Sequence, residues 1–292
     1  MSCIYSDHNI EMLHIVPGYF CNLECSHCGS NSGPKEKVKF SQKEIEDIQT
    51  SINKYRPPCI LFTGGEPTFF IDSINEILSV LPTNEIPLIK ITTNGWFSKS
   101  NEKIEEILTK IVKINCLQLS YDVFHGSNLT YNDIIRLKDY CENKKIAFNI
   151  SVCISSPLDF NNAAEILKNV KTIISYQKVE PSGRAKKSQT NFKYFKFQDE
   201  VLDKQCSNLN QISYIPGKGF TTCCSSLIYN NEISDTCHAD LIDHLNSSFR
   251  SLIKKHTFKE LLELKSIPFE SLSPQLSSPC ALCEYIQTYK KD

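Results

Sequence analysis

The chain lacks the features that would tie it to a polyanion or a bilayer. Its 292 residues carry 32 Lys and Arg against 33 Asp and Glu, a formal charge of −1, so no basic excess points to nucleic acid. No apolar run reaches spanning length, and Met1 to Asp7 lacks the charged-then-apolar order of an export signal. A cytoplasmic protein without membrane attachment is expected. Nothing of domain size precedes the first apolar run, so no fused leader-binding domain is expected. What is abundant is cysteine, at fourteen residues. In a secreted chain that count would mean disulfides; in a reducing compartment it means metal. Cys3, Cys59, Cys116, Cys141 and Cys153 have mostly apolar neighbours and are expected to fill core. The others form two sets.

The first set is Cys21, Cys25 and Cys28, directly after an apolar run (Met12, Leu13, Ile15, Val16) that reads as a strand. Thiolates are the ligands of iron–sulfur clusters, and a cubane calls for four of them. Three close cysteines leave one iron open to a small molecule. Taken alone, the same three could form most of a zinc site or be disulfide partners.

Downstream the chain alternates. Ser41-Gln42-Lys43-Glu44 has the form of a capping box and opens a helix with Ile45, Ile48 and Ile52 on one face. Strand Cys59 to Phe62 ends in Gly64-Gly65-Glu66-Pro67, and Asp72 is expected to cap a second helix. Strand Leu88 to Ile91 ends in Thr92-Thr93-Asn94-Gly95, and a helix is expected from about Asn101 to Val112. Strand Cys116 to Leu119 ends in Ser120-Tyr121-Asp122, before a helix from about Tyr131 to Glu142. Strand Ile146 to Ile154 precedes a helix starting near Asn161, and strand Ile173 to Val179 ends in Glu180-Pro181-Ser182-Gly183-Arg184. Six strands alternating with helices at roughly thirty-residue intervals are the signature of right-handed βαβ units on a parallel sheet. Such a sheet forms a full or partial barrel, or stays open and doubly wound.

The Cys loop, Gly64 to Pro67, Asn94, Ser120, Asp122 and Arg184 all fall just past C-terminal strand ends, which share one mouth in a barrel. Gly64 and Gly65, without Cβ atoms, let backbone approach a ligand closely. Glu66 offers a carboxylate suited to an ammonium group. Asn94-Gly95 could be only a turn, but it lies on the same rim. Arg184 offers a planar donor fork for a carboxylate or for ribose hydroxyls; it could equally be a solvated member of the run Arg184-Ala185-Lys186-Lys187.

The triplet Cys21, Cys25 and Cys28, then Gly64-Gly65-Glu66-Pro67, then Asn94-Gly95, in that order, resembles the radical S-adenosylmethionine (SAM) superfamily from about residue 12 to 184. His27 stands where that family usually has Tyr or Phe. The resemblance implies an α/β fold, a partial (β/α)6 TIM-like barrel over residues 1–184. It also implies a 4Fe-4S cluster whose open iron is chelated by SAM. One electron, from an external donor, would then release a 5′-deoxyadenosyl radical that takes hydrogen from substrate.

Residues 185–292 have no βα rhythm and hold the second set: Cys206, Cys223-Cys224, Cys237 and Cys280-x2-Cys283. Pro216 to Phe220 reads as a hairpin turn. Four thiolates here could bind zinc, but the arrangement looks like a shortened version of the auxiliary-cluster (SPASM/twitch) regions of peptide-modifying radical SAM enzymes. That favours a second 4Fe-4S cluster. Cys206, one of the adjacent pair, Cys280 and Cys283 already make four ligands, which leaves one of the pair spare, with Cys237. A thiol S–H bond is weaker than most C–H bonds, so a spare thiol can hand hydrogen to a carbon radical.

Ser120-Tyr121-Asp122-Val123-Phe124-His125, Gly183-Arg184-Ala185-Lys186, the Cys pair and the terminal C-x2-C resemble the radical SAM peptide epimerases that make D-residues in ribosomal peptides. By that resemblance Cys223 ligates the auxiliary cluster and Cys224 donates hydrogen. Asp122 would hold SAM or substrate, with His125 a weaker candidate. The implied partner is a ribosomally made precursor peptide. Enzymes that form thioether or carbon–carbon cross-links are the nearest rival, and a non-catalytic zinc or iron–sulfur module is the rival of another class. Lys186, Lys187, Lys193 and Lys196 among Phe192, Tyr194, Phe195 and Phe197 could grip an acidic peptide or form a solvated face.

Overall fold

The computed structural model describes residues 9–84, 86–125, 129–229 and 235–290. Cys3 therefore lies outside the described residues. Six parallel strands follow one another in chain order: β1 Met12–Ile15, β2 Cys59–Phe62, β3 Leu88–Thr93, β4 Cys116–Ser120, β5 Ala147–Ile154 and β6 Ile173–Lys178. Each pairs with its predecessor. The crossovers are α1 Gln42–Tyr55, α2 Ile71–Leu78, α3 Asn101–Leu108, α4 Tyr131–Asn143 and α5 Pro157–Leu167.

Alternation along the strands sets the layers. Ile60, Phe62, Ile89, Ile91, Leu117, Leu119, Ile150 and Val152 have no solvent exposure and belong to one apolar core with the inner faces of the helices, among them Ile48, Ile74, Ile104 and Ile134. The alternate strand positions include His14, Lys90, Thr92, Gln118 and Ser151, polar groups that suit a concave, solvated face.

Local chemistry explains most helix starts. Ser41 with Glu44, Thr130 with Asp133 and Ser156 with Asp159 form capping boxes, each satisfying two otherwise orphaned donors. Three expected boundaries change. Phe70, not Asp72, is the N-cap of α2, and Asp72 sits in the first turn, where a carboxylate complements the helix dipole. α3 ends at Leu108 rather than Val112, and Lys113 beyond it has φ 62°. α5 begins at Pro157, before Asn161, because Pro at the first position and Ser156 as cap nucleate it early.

The larger difference lies past residue 184. β7 Gln211–Ile215 pairs in parallel with β1, and β8 Gly219–Thr221 returns antiparallel to β7 through a turn at Gly217. One eight-stranded sheet results, in the order β6-β5-β4-β3-β2-β1-β7-β8. Without β7, the backbone of β1 would be an open edge next to the cysteine loop. α6 Gly183–Lys187, α7 Leu241–Leu245, α8 Ser248–Lys255, α9 Phe258–Leu264 and α10 Pro279–Thr288 complete the chain. The last three build a second core of Phe249, Ile253, Phe258, Leu261, Leu282 and Ile286, which Val16 and Ile215 from the sheet join. Among the described residues, no helix is long and apolar enough to cross a membrane.

Candidate functional site

A cavity of about 420 Å³ opens at the C-terminal ends of the strands. It is lined by Cys21, Cys25 and Cys28, by Gly64, Gly65 and Glu66, and by Asn94, Ser120, Arg184 and Cys224. Ten residues singled out in the sequence thus share one space. Asp122 lies just behind it.

The cysteine loop is irregular, and its neighbours hold its shape. Arg184 donates from Nε to the Cys25 carbonyl at 2.9 Å and from Nη1 to the Asn31 carbonyl at 3.2 Å, and Nη2 donates to the Ser32 carbonyl. Its backbone N–H donates to the Cys28 carbonyl at 2.9 Å. Its fork therefore braces the loop rather than standing free for a carboxylate or ribose. Gly183 has φ +53°, and a Cβ there would lie 2.3 Å from the Gly29 carbonyl oxygen, so the chain after β6 packs against the loop backbone to backbone. Gly65 serves the same purpose from β2: a Cβ would come within 2.1 Å of the Phe20 carbonyl oxygen.

Three thiols at this spacing repel one another as thiolates. Burial, then Cys21, Cys28 and Asp122, pushes the Cys25 thiol up to about 12. A donor set whose charged form is disfavoured without a cation, with a short N–H···S bond from Leu23 to Cys21 (3.4 Å), fits a site built around bound iron.

Glu66 is 1 % exposed. Its Oε1 accepts from Thr68 Oγ1 (2.7 Å) and Thr93 Oγ1 (2.8 Å), and its Oε2 accepts from the Asn94 N–H (2.8 Å). Burial raises its pKa against these hydrogen bonds, and among the described residues no cation pairs with it. A buried carboxylate facing the cavity without a counter-ion fits a cationic ligand group. Asn94 Nδ2 donates to Asn22 Oδ1 at 2.8 Å and lies 3.7 Å from Cys21 Sγ, tying the β3 rim to the loop.

Asp122 is also buried, but its oxygens are occupied. It accepts from His125 Nδ1 (2.8 Å) and from the backbone N–H groups of Phe124 (3.0 Å), His125 (3.2 Å) and Cys153 (3.3 Å). Burial would raise its pKa; the bonds and the two histidines outweigh that and hold it below the usual range. His27 Nε2 stands 3.7 Å away. The His27 ring stacks on Phe124 at 4.7 Å, burial lowers its pKa to about 4, and its Nδ1 is buried without a partner. Asp122 thus orients His125 and the loop flank.

Of the second cysteine set, Cys224 lines the same cavity, and four others gather around it. Cys206, Cys223, Cys224, Cys280 and Cys283 perturb one another's titration, and burial pushes Cys223 up to about 12. Cys280 and Cys283 share one face of the first turns of α10, and Cys223 Sγ lies 3.2 Å from Ser225 Oγ. These are again crowded, mostly buried thiols that repel one another as thiolates, with only Lys265 acting on Cys283 among the described cations, a set that fits a second cluster. Cys224 differs from its neighbour. It lines the main cavity, accepts from Asn208 Nδ2 at 2.9 Å, and is hydrogen-bonded to Cys280, which lowers its pKa. Cys237 is apart, beside Thr236 and Thr221.

Several lining residues carry little or no mark in the sequence. Cys153, expected as core, lines the cavity instead, because strand alternation sends it opposite to Val152. Glu180 lines it too; burial raises its pKa, and it accepts from Ser278 Oγ, the N-cap of α10. Its place after a strand end was the available signal. His14 comes from mid-β1, where nothing in the sequence marked it.

A parallel βα sheet, a three-thiol loop after β1 and a glycine-lined rim define the class, and the comparison with known families agrees. The Radical SAM superfamily model matches residues 15–175, and the chain belongs to that superfamily. Its members bind a 4Fe-4S cluster and SAM. The chain is similar to the mycofactocin maturase MftC of Mycobacterium ulcerans, 28 % identical over 120 residues, 40 % of this chain and 30 % of the relative. It is also similar to the GTP 3′,8-cyclase of Limosilactobacillus fermentum, 29 % identical over 120 residues, 40 % of this chain and 34 % of the relative. The chain thus spans about a third of the length of these curated relatives. The crystal structure of BtrN in complex with AdoMet and 2-DOIA shares the fold at TM-score 0.51 and 14 % identity, over 86 % of this chain and 89 % of that one.

Proposed function

We propose that this chain is a peptide epimerase that converts L-residues of a ribosomally made precursor peptide to D-residues. The observation that carries the reading is the split of the cysteine pair: Cys223 is buried beside Ser225, while Cys224 lines the cavity that also holds Cys21, Cys25 and Cys28. Cys21, Cys25 and Cys28 would hold the first cluster, with Cys206, Cys223, Cys280 and Cys283 on the auxiliary one. SAM held at the first cluster would supply, on taking one electron from an external donor through the cluster, a 5′-deoxyadenosyl radical able to take hydrogen from a substrate Cα, leaving methionine and 5′-deoxyadenosine.

The chain's own groups do the rest. Glu66 receives the ammonium of SAM; Gly64 and Gly65 let backbone close on it, and Asn94 and Ser120 complete the rim. Cys224, which lines the same cavity, would donate the returning hydrogen. Its S–H bond breaks as a new Cα–H bond forms on the opposite face, which inverts the centre. The sulfur left behind regains one electron from an external reductant and one proton.

Cys224→Ala tests this. Reductive formation of 5′-deoxyadenosine should persist, while D-residue formation and uptake of one deuterium from heavy water should vanish. D-residues from that variant would refute the assignment. The contact between Cys224 and Cys280 favours a second reading in which Cys224 joins the auxiliary ligands of a cross-linking enzyme. Product mass separates the two, since cross-linking removes two hydrogens and epimerisation leaves mass unchanged.

A further inference from the structure

We infer that the outer edge of β6 is the docking strand for an acidic, extended peptide segment, which it leads into the cavity. The inference rests on the proposal that the substrate is a peptide.

The sheet has two edges, and they are treated differently. On β8 the edge is closed, because Phe220 and His238 exchange N–H···O bonds of 2.7 and 3.0 Å. On β6 no strand pairs with the outer side among the described residues. The Val179 N–H donates to Ile154 on β5. In a parallel pair every second residue faces the same neighbour, so the backbone groups of Ile174, Tyr176 and Lys178 point outward. A six-residue open edge is a template for another chain unless something blocks it.

Among the described residues nothing pairs with it, and its surroundings suit one kind of occupant. Ile173, at the start of the strand, is 77 % exposed, which gives an apolar seat for one side chain of an added strand. At the other end Lys178 sits 4.6 Å from the ring centres of both Phe192 and Tyr194. The Phe192 N–H donates to the Val179 carbonyl at 2.9 Å, so segment 192–196 runs beside the strand end. Its Lys193 and Lys196 form no ion pair among the described residues. These cations favour carboxylate side chains. The path continues inward, since Gln177, Lys178 and Glu180 line the same cavity as Cys28 and Cys224. A peptide paired to β6 is therefore delivered to the radical site with its backbone extended.

The test uses the full chain with both clusters reconstituted. Its probe is a capped octapeptide of alternating valine and glutamate, with two controls: the same peptide N-methylated at alternate residues, and its valine–lysine counterpart. The acidic peptide should slow amide hydrogen exchange at Ile174, Tyr176 and Lys178 on the order of tenfold or more. The N-methylated and lysine peptides should not. Lys178→Pro, which removes one outward N–H, should weaken binding more than Lys178→Ala. Lys193→Glu with Lys196→Glu, outside the β5–β6 pairing itself, should weaken it without altering the strand. Absence of protection at millimolar peptide, or equal binding of the N-methylated form, overturns the inference. Protection of β6 without any D-residue product would sink only the epimerase reading. D-residue formation with unprotected β6 amides would sink only the edge docking.

Discussion

Replacing Arg184 by Ala should cost the protein its first cluster before it costs the fold. The guanidinium donates to three carbonyls of the cysteine loop, those of Cys25, Asn31 and Ser32. A hydrogen bond to a charged group contributes roughly 1.5–3 kcal/mol, and three from one fork do not add fully. A net loss of about 3 kcal/mol shifts the balance between the shaped and the released loop by a factor of roughly 150, at 1.4 kcal/mol per factor of ten. The loop carries no helix or strand of its own, so that loss falls on the positions of Cys25 and Cys28. The sheet, whose core Arg184 does not enter, should keep its thermal midpoint within a few degrees. The assay is iron and sulfide content after anaerobic reconstitution, beside thermal unfolding of the apoprotein. Arg184→Lys should retain part of the iron, because one donor remains where three stood. If the fork instead served the cofactor, Arg184→Ala would hold full iron and bind SAM more weakly. Full iron content in Arg184→Ala would refute the bracing role.

Two further outcomes follow from buried groups. Gly65→Ala places a methyl 2.1 Å from the Phe20 carbonyl oxygen, where backbone has to move; it should destabilise by about 1–3 kcal/mol, measured by chemical unfolding, and lower cluster content with it. His244 is fully buried, hydrogen-bonded to Thr222 at 2.9 Å, and held down to about 3 by burial and by His238 and Arg250. Because its folded pKa lies below the unfolded one, protons bind the unfolded chain first. Its contribution is present above about pH 6.5 and is lost as pH falls toward 3, at up to about 1.4 kcal/mol per pH unit. His244→Gln should flatten that acid limb of the stability curve, and an unchanged slope would show that His244 does not govern it.

Much of the site was legible because strand ends announce themselves. Cys21, Cys25, Cys28, Gly64, Gly65, Glu66 and Asn94 follow short apolar runs, and a parallel βα repeat has one way to place such positions, at one mouth. Cys153 and His14 were illegible for the opposite reason. They lie inside strands, where only the pleat decides which face a side chain takes, and a cysteine among apolar residues reads as core. The turn at Pro216 to Phe220 was legible, but β7 itself was missed because only the five-residue α6 and irregular chain lie between β6 and it, so no βα rhythm marked it.

The linear order of residues by itself determined the alternation of strands and helices, the three-thiol loop and the rim that meets it, since these follow from local pattern and topology. Only the tertiary structure decided that Arg184 spends its fork on the loop, that Glu66 is buried without a counter-ion among the described residues, and that Cys224 rather than Cys223 lines the cavity. Those outcomes depend on contacts across 150 residues or more of chain in the case of Arg184, and on which way neighbouring side chains turn. No spacing rule encodes either.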